Sequence, residues 1–451
     1  MTRTVLLIFQ SPKRRGLFIN VLPPLGILSI SSYLTSKGVP VIVKDCSIDT
    51  LRDEDMHRAD IIGLSINVSN IENSLSTIER ISRTWPEKRI VVGGPFPMSA
   101  PEQLIRQEGI HAVAIGEGEE VMHQLATEES WHYIKGLYLK DNAGKISFTG
   151  EREPIKNLDR LPFPALDRVD LSRYYSPIKK ALPISNIMTS RGCPFNCIFC
   201  FKTMGGAWRA RSAKNVADEI EWQVRALGAR EICIYDDNFT MDVKRAEEIC
   251  DEIIERKIKV RLQLTNGIRV DRLTRATLQK LKAAGVWLVG VAPETGNRET
   301  LRRISKGFDL DKVSDVVRWC KEEGLATYSF FMIGFPWEKK AHIEDTIRFA
   351  AGLDTELTQF SRVTAFPGTA LYDILLREGA IGETTLRDQG LFYGGVAHSV
   401  EGISDAELRR LITRAYRRTY LRPGKWLRLL RMLSMRDLWN LLVYSLTTKS
   451  I

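Results

Sequence analysis

Cys193-Pro-Phe-Asn-Cys197-Ile-Phe-Cys200 places three thiols within eight residues, separated by three residues and then by two. Thiolates are the usual ligands of iron–sulfur clusters, and a four-iron cluster held wholly by protein takes four of them. Three leave one iron open, and an open position separates a catalytic metal from a structural one. Zinc is the competing reading. It would want a fourth Cys or His at short spacing, yet no His lies between His132 and His342, and Cys233 stands alone. A disulfide is disfavoured by the odd total of seven cysteines and by their scatter. The run before the motif, residues 181–190, is apolar and β-branched like a buried strand, so the cysteines sit on the loop leaving it.

A CxxxCxxC run after a strand, with an aromatic (Phe199) before its last cysteine, resembles the cluster loop of the radical S-adenosylmethionine (SAM) enzymes. The resemblance implies a 4Fe-4S cluster whose open iron is chelated by the amino and carboxylate groups of SAM. It further implies reductive cleavage of SAM to a 5′-deoxyadenosyl radical, with electrons from a reductase, flavodoxin or ferredoxin.

The rest of the chain must position such a site. With 451 residues, 44% of them hydrophobic, it can bury sizeable cores and divides into two or three domains. The first nine residues read as a strand, with neither the longer apolar region nor the cleavage site of a signal peptide. No apolar run reaches the length of a membrane span. Scattered cysteines point to a reducing cytoplasm. The net charge is +10, and residues 409–436 carry much of the excess, from Arg409 and Arg410 to Arg431 and Arg436. A basic segment suits anionic lipid or nucleic acid, but no nucleic-acid-binding motif accompanies it.

Residues 1–150 alternate short apolar runs (5–9, 40–44, 61–66, 90–92 and 112–115) with periodic stretches, which predicts a doubly wound parallel sheet. Residues 134–139 and 145–149 read as a small hairpin closing the domain. Ligands of such sheets lie at the carboxyl ends of the strands. The loops expected there hold Pro24, Leu25 and Gly26; Ser65, Asn67 and Ser69; Gly93, Gly94 and Pro95; and Gly116, Glu117 and Gly118. Glycine and proline let backbone approach a large flat ligand, and the serines can donate hydrogen bonds. Each loop alone could be ordinary turn chemistry. Together they resemble the cobalamin-binding domain that precedes the barrel in the class B radical SAM methyltransferases. Where many cobalamin domains carry D-x-H-x-x-G, this chain reads Ser11-Pro-Lys13-Arg-Arg-Gly16. A protonated lysine has no lone pair for cobalt, so base-off cobalamin without a His ligand is expected. His57 precedes a later strand and reads as a surface or helix-end residue.

Residues 151–182 are a proline-punctuated linker, and 183–380 resume the alternation with six strand–helix units. That fits the partial (β/α)6 barrel implied by the resemblance, with chemistry at the strands' carboxyl ends. The polar residues there are Asp236, Asp237, Asn266 and Glu294, followed by the Gly334-Phe-Pro-Trp-Glu338 turn. Carboxylates could accept from the ammonium and ribose of SAM, and Arg209 or Arg211 could meet its carboxylate. Asp236 and Asp237 could equally cap the next helix, and Glu294 could be a plain turn. The other cysteines read as core.

Residues 381–451 form a helical, basic end, in which Ser404 to Glu407 has capping-box spacing. Its last segment, 425–446, mixes apolar residues with arginines and suits either the anionic inner face of a membrane or packing on the barrel. The function expected is cobalamin-dependent methyl transfer to an unactivated carbon of a small or hydrophobic molecule. The alternatives are a radical reaction without methyl transfer and, from a different class, a cobalamin or redox sensor.

Overall fold

A computed structural model describes residues 2–12, 20–141, 143–382 and 398–422, and 424, 425, 429, 432, 433, 435, 438, 439, 442 and 443. The Lys13 reading and the arginines at 428, 431 and 436 lie outside the described residues.

In the N-terminal third, β1 (Val5–Phe9), β2 (Val41–Asp45), β3 (Ile61–Ser65), β4 (Arg89–Gly93) and β5 (Ala112–Ala114) form a parallel sheet in the order β2-β1-β3-β4-β5. Its strands are apolar on both faces because both are covered. Val5 and Leu7 join one core with Ile27 and Leu34 of helix Leu25–Ser36 and Val121 and Leu125 of helix Gly118–Thr127. Leu6 and Ile8 point the other way, to Ile78 and Ile81 of helix Ile71–Thr84. Each such side chain contributes about 1.5–3 kcal/mol by burial. The expected hairpin is an extension of the sheet. Leu137 and Leu139 alternate into the core, so β6 (Leu137–Lys140) pairs antiparallel with β5, and β7 (Ile146–Phe148) forms the edge.

The second sheet is a six-stranded parallel one, in the order β15-β14-β13-β12-β11-β8. It comprises β8 (Ile184–Ile187), β11 (Glu231–Ile234), β12 (Arg261–Ile268), β13 (Val286–Glu294), β14 (Ala326–Ile333) and β15 (Leu357–Arg362). A two-stranded ribbon, β9 (Ser190–Arg191) against β10 (Arg209–Ala210), follows β8. β8 and β15 are the outer strands of this open barrel. The β15 edge is covered by helix Asp405–Tyr420, where the Tyr420 hydroxyl donates to Thr358 O and accepts from Thr358 N, both at 2.7 Å. Tyr416 does the same at Phe360, so an exposed strand edge is satisfied by two phenols. Leu429, Met432, Leu433 and Leu438 of the C-terminal segment also join the barrel core, while Met435, Trp439 and Val443 are exposed.

The linker ties the two sheets together. Tyr174 Oη donates to the buried Asp45 at 2.9 Å, and Arg168 donates to Val41 O and Thr35 Oγ1.

Candidate active site

The cysteine loop, residues 192–208, springs from one strand of the β9–β10 ribbon and returns to the other. Inside it Cys193 N donates to Gly205 O and Cys200 N to Cys197 O, while Ile198 is bonded on both sides, to Ile304 O and from Leu371 N. Burial pushes the Cys197 thiol up and Cys200 to about 11; Cys193 raises both, and Cys197 raises Cys200. Three donors that repel one another's charge suit a cationic centre, which displaces their protons on binding. Among the described residues no three Cys, His, Asp or Glu side chains are gathered as around a single ion. Three thiols carried on one short loop are, by their chemistry, the donor set an open-site four-iron cluster takes.

Beside the loop, Glu294 ends β13 at φ +67°, an unusual conformation for a non-glycine residue. Its strand runs on to Glu294 because, after a bulge, Glu294 pairs with Phe331. Its carboxylate meets the half-buried Lys306 ammonium at 2.7 Å, and Lys306 lies within electrostatic reach of Cys197 and Cys200. Phe199 packs its ring near Phe335 of the Gly334–Glu338 turn. That turn is closed by Glu338, which accepts from Gly334 N and Phe335 N and whose carboxyl burial pushes up to about 7.

Some expected site residues have other work. Asp236 and Asp237 are neighbours on a strand end and face opposite ways. Asp236 is buried and accepts from Thr189 N, Thr189 Oγ1 and Ser190 Oγ at 2.5–2.6 Å, which fixes the strand end before the cysteines. It does not cap the next helix; Asp242 does. Asp237 is exposed, accepts from Gly192 N and lies within electrostatic reach of Cys200; Asn266 is exposed beside it. Arg211 is committed to the buried Glu219 at 2.5 Å, and Arg209 to Glu117. A SAM carboxylate would therefore find both arginines already paired.

The loops at the carboxyl ends of β1, β3, β4 and β5 wall a cavity of about 680 Å3, and every loop residue singled out in the sequence lines it. Linker residues Leu158, Leu161, Pro162 and Pro164 and barrel residues Asn186, Met188, Arg191 and Tyr235 close the other side. The volume lies within the range of small-molecule and cofactor sites. Among the described lining residues there is no histidine, cysteine or lysine. Asn67 Oδ1 accepts from Ser69 N and Oγ, and the buried Asn70 ties this loop to Gln10 O and Ser65 O. Ser69 thus stiffens its own loop. Asn186 donates to Pro23 O, and its Oδ1 is a buried acceptor with no protein partner, as a wall facing an amide-bearing ligand requires.

Gly94 has φ +100°, and a Cβ there would lie 2.9 Å from Ile66 O and 3.0 Å from Ser65 Oγ. Gly94→Ala is therefore expected to cost about 1–3 kcal/mol of local strain and to displace the wall loop. Corrinoid bound per chain, read by absorbance after gel filtration, should fall about tenfold or more relative to the parent.

Glu117 is the junction of the two domains. It receives Arg191 at 2.5 Å, Arg209 at 2.9 Å and Ile155 N at 2.6 Å, while Arg191 extends to Glu119 at 2.6 Å. The four side chains are 5–12% exposed. Glu117 lines the cavity, while its carboxylate is held by two barrel arginines and the linker's Ile155 N. Sequence reading missed Arg191, Lys306, Asn186 and Tyr235. Arg191 alone had a local signal, being two residues ahead of Cys193.

A model of the radical SAM superfamily matches residues 187–350, and a B12-binding-domain model matches 18–126. The chain is 30% identical over 415 residues to an uncharacterized methyltransferase of Pyrococcus horikoshii, covering 89% of this chain and 88% of that protein. It is 26% identical to the anaerobic magnesium-protoporphyrin IX monomethyl ester cyclase of Rubrivivax gelatinosus, covering 78% and 66%. Its fold is shared with the radical SAM methyltransferase TsrM of Kitasatospora setae, solved with cobalamin and a 4Fe-4S cluster, at a TM-score of 0.70 and 20% identity, covering 86% and 80%.

Proposed function

Because the chain belongs to the radical SAM enzymes that carry a B12-binding domain, we propose that it transfers a methyl group to an unactivated carbon of a small or hydrophobic molecule. The observation that carries this reading is the cavity that the cobalamin-type loops and the barrel wall share, beside the cysteine loop. Cys193, Cys197 and Cys200 would hold the cluster, and the loops around Gly94 and Gly116 the corrin. When bound, the cluster and SAM supply hydrogen abstraction and cobalamin supplies a methyl carrier. The protein's part is placement. Proline and leucine side chains of the linker give the cavity an apolar wall. Asn186 Oδ1 offers an acceptor, and the Asp236 clamp fixes the strand end from which the cysteines hang. That cobalamin is held base-off without a His ligand rests on the sequence from Ser11 to Gly16, which holds no histidine. A cob(II)alamin electron paramagnetic resonance spectrum without axial-nitrogen splitting is the expected result; a nitrogen triplet counts against it.

Incubation with methyl-labelled SAM and cell extract tests the reaction. Label in a product, with 5′-deoxyadenosine and S-adenosylhomocysteine formed together, supports methyl transfer. Deoxyadenosine with no S-adenosylhomocysteine supports the second reading, an oxidative cyclisation, which the similarity to the Rubrivivax gelatinosus cyclase favours.

Cys200 is exposed, so an electron donor such as flavodoxin, ferredoxin or a reductase could reach the cluster's edge. Among the described residues no helix is long and apolar enough to cross a membrane. Met435, Trp439 and Val443 are exposed at a spacing of four, next to the basic run, and support peripheral contact with anionic lipid. Binding to phosphatidylglycerol vesicles should exceed binding to phosphatidylcholine vesicles, and Trp439→Ala should weaken it about tenfold. Equal sedimentation with both lipids speaks against this contact.

A further inference from the structure

Two residues before the first cysteine, Arg191 enters the cysteine loop from β9; Arg209 leaves it on β10. These cross-strand partners are held on one carboxylate of the other domain, Glu117. Arg191 also reaches Glu119, which accepts from Ser29 Oγ on the helix that walls the cavity. Gly116, Glu117, Gly118 and Glu119 all line that cavity. The base of the cysteine loop is thus bolted to the rim of the second cofactor's site by charge pairs almost free of water. A guanidinium fork holds two carboxylates in one fixed geometry, which a flexible ammonium cannot do.

We propose that Arg191, with Glu117, is a positioning clamp through which cobalamin in the cavity orders the cysteine loop. This rests on the reading of the cavity as the cobalamin site. A ligand that selects one shape of loop 116–119 selects the matching position of both arginines, and with it the base of residues 192–208. The three cysteines are then best placed when the methyl carrier is present.

Hydrogen exchange of the cluster-loaded protein, followed by mass spectrometry without oxygen, tests the clamp with hydroxocobalamin as the probe. In the parent protein hydroxocobalamin should slow exchange in segment 93–97 and also, by roughly fivefold or more, in segment 192–208. In Glu117→Gln it should slow 93–97 alone. Equal slowing of 192–208 in parent and variant, or none in the parent while 93–97 responds, overturns the clamp. No slowing at 93–97 in the parent overturns the cobalamin reading of the cavity, and the clamp with it. Should Glu117→Gln take up no cobalamin, Arg191→Gln, which substitutes no residue of the N-terminal loops, carries the same comparison. Arg191→Lys should regain part of the slowing that Arg191→Gln loses; equal loss in both argues against a charge clamp.

Discussion

Cys197→Ala should leave a protein that folds and takes up cobalamin yet releases no 5′-deoxyadenosine from SAM above background. The side chain is half-buried in a loop whose order comes from backbone bonds, among them Ile198 N to Ile304 O and Leu371 N to Ile198 O, and these survive the change. What would be lost is one of the three thiols proposed to hold the cluster, and the cysteine loop offers no fourth. The same outcome is expected for Cys193→Ala and Cys200→Ala. Cys233→Ala and Cys250→Ala are the controls. Both residues are fully buried in the barrel core, so each should cost about 1 kcal/mol of packing and leave iron content and deoxyadenosine release intact. Cleavage that persists in Cys197→Ala would remove the cysteine loop from the chemistry and revive a sensor reading.

Gly192→Ala should have a comparably large effect by a steric route. Gly192 lies between Arg191 and Cys193 at φ +84°, and a Cβ there would fall 2.3 Å from Ala207 O and 3.1 Å from Gly205 O. No rotamer relieves a clash with backbone. The loop must open at its base, where Cys193 N bonds Gly205 O and Gly192 N bonds Asp237. Strain of about 3 kcal/mol corresponds to a factor of ~100 in occupancy of the closed loop. The expected result is a soluble variant with near-parental melting of the N-terminal domain that still takes up cobalamin but holds little iron. Parental iron content would show that the base of the loop does not set the cluster site.

The fold was legible because its periodicities were strong. Five apolar runs with punctuated loops specify a covered parallel sheet, and six longer units specify the barrel. The cavity loops were legible because glycine and proline report backbone approach without knowledge of partners. Charged residues were harder. Arg209 and Asp236 had suitable types at suitable strand ends, but type does not reveal that Glu117 stands 92 residues before Arg209, or that Thr189 and Ser190 surround Asp236. Adjacent residues on a strand end face opposite ways, so in Asp236-Asp237 one carboxylate turns inward and the other stays open. Arg191 went unremarked because its partners lie more than 70 residues away in another domain.

Two cofactors on one chain, facing a shared cavity, can be counted. The count comes from anaerobic reconstitution with iron, sulfide and hydroxocobalamin, followed by metal and corrinoid analysis of the gel-filtered protein. About four irons and about one cobalamin per chain are expected, with Cys197→Ala losing the iron and Gly94→Ala losing the corrinoid. A parent chain that binds its iron but takes up no cobalamin would contradict the account.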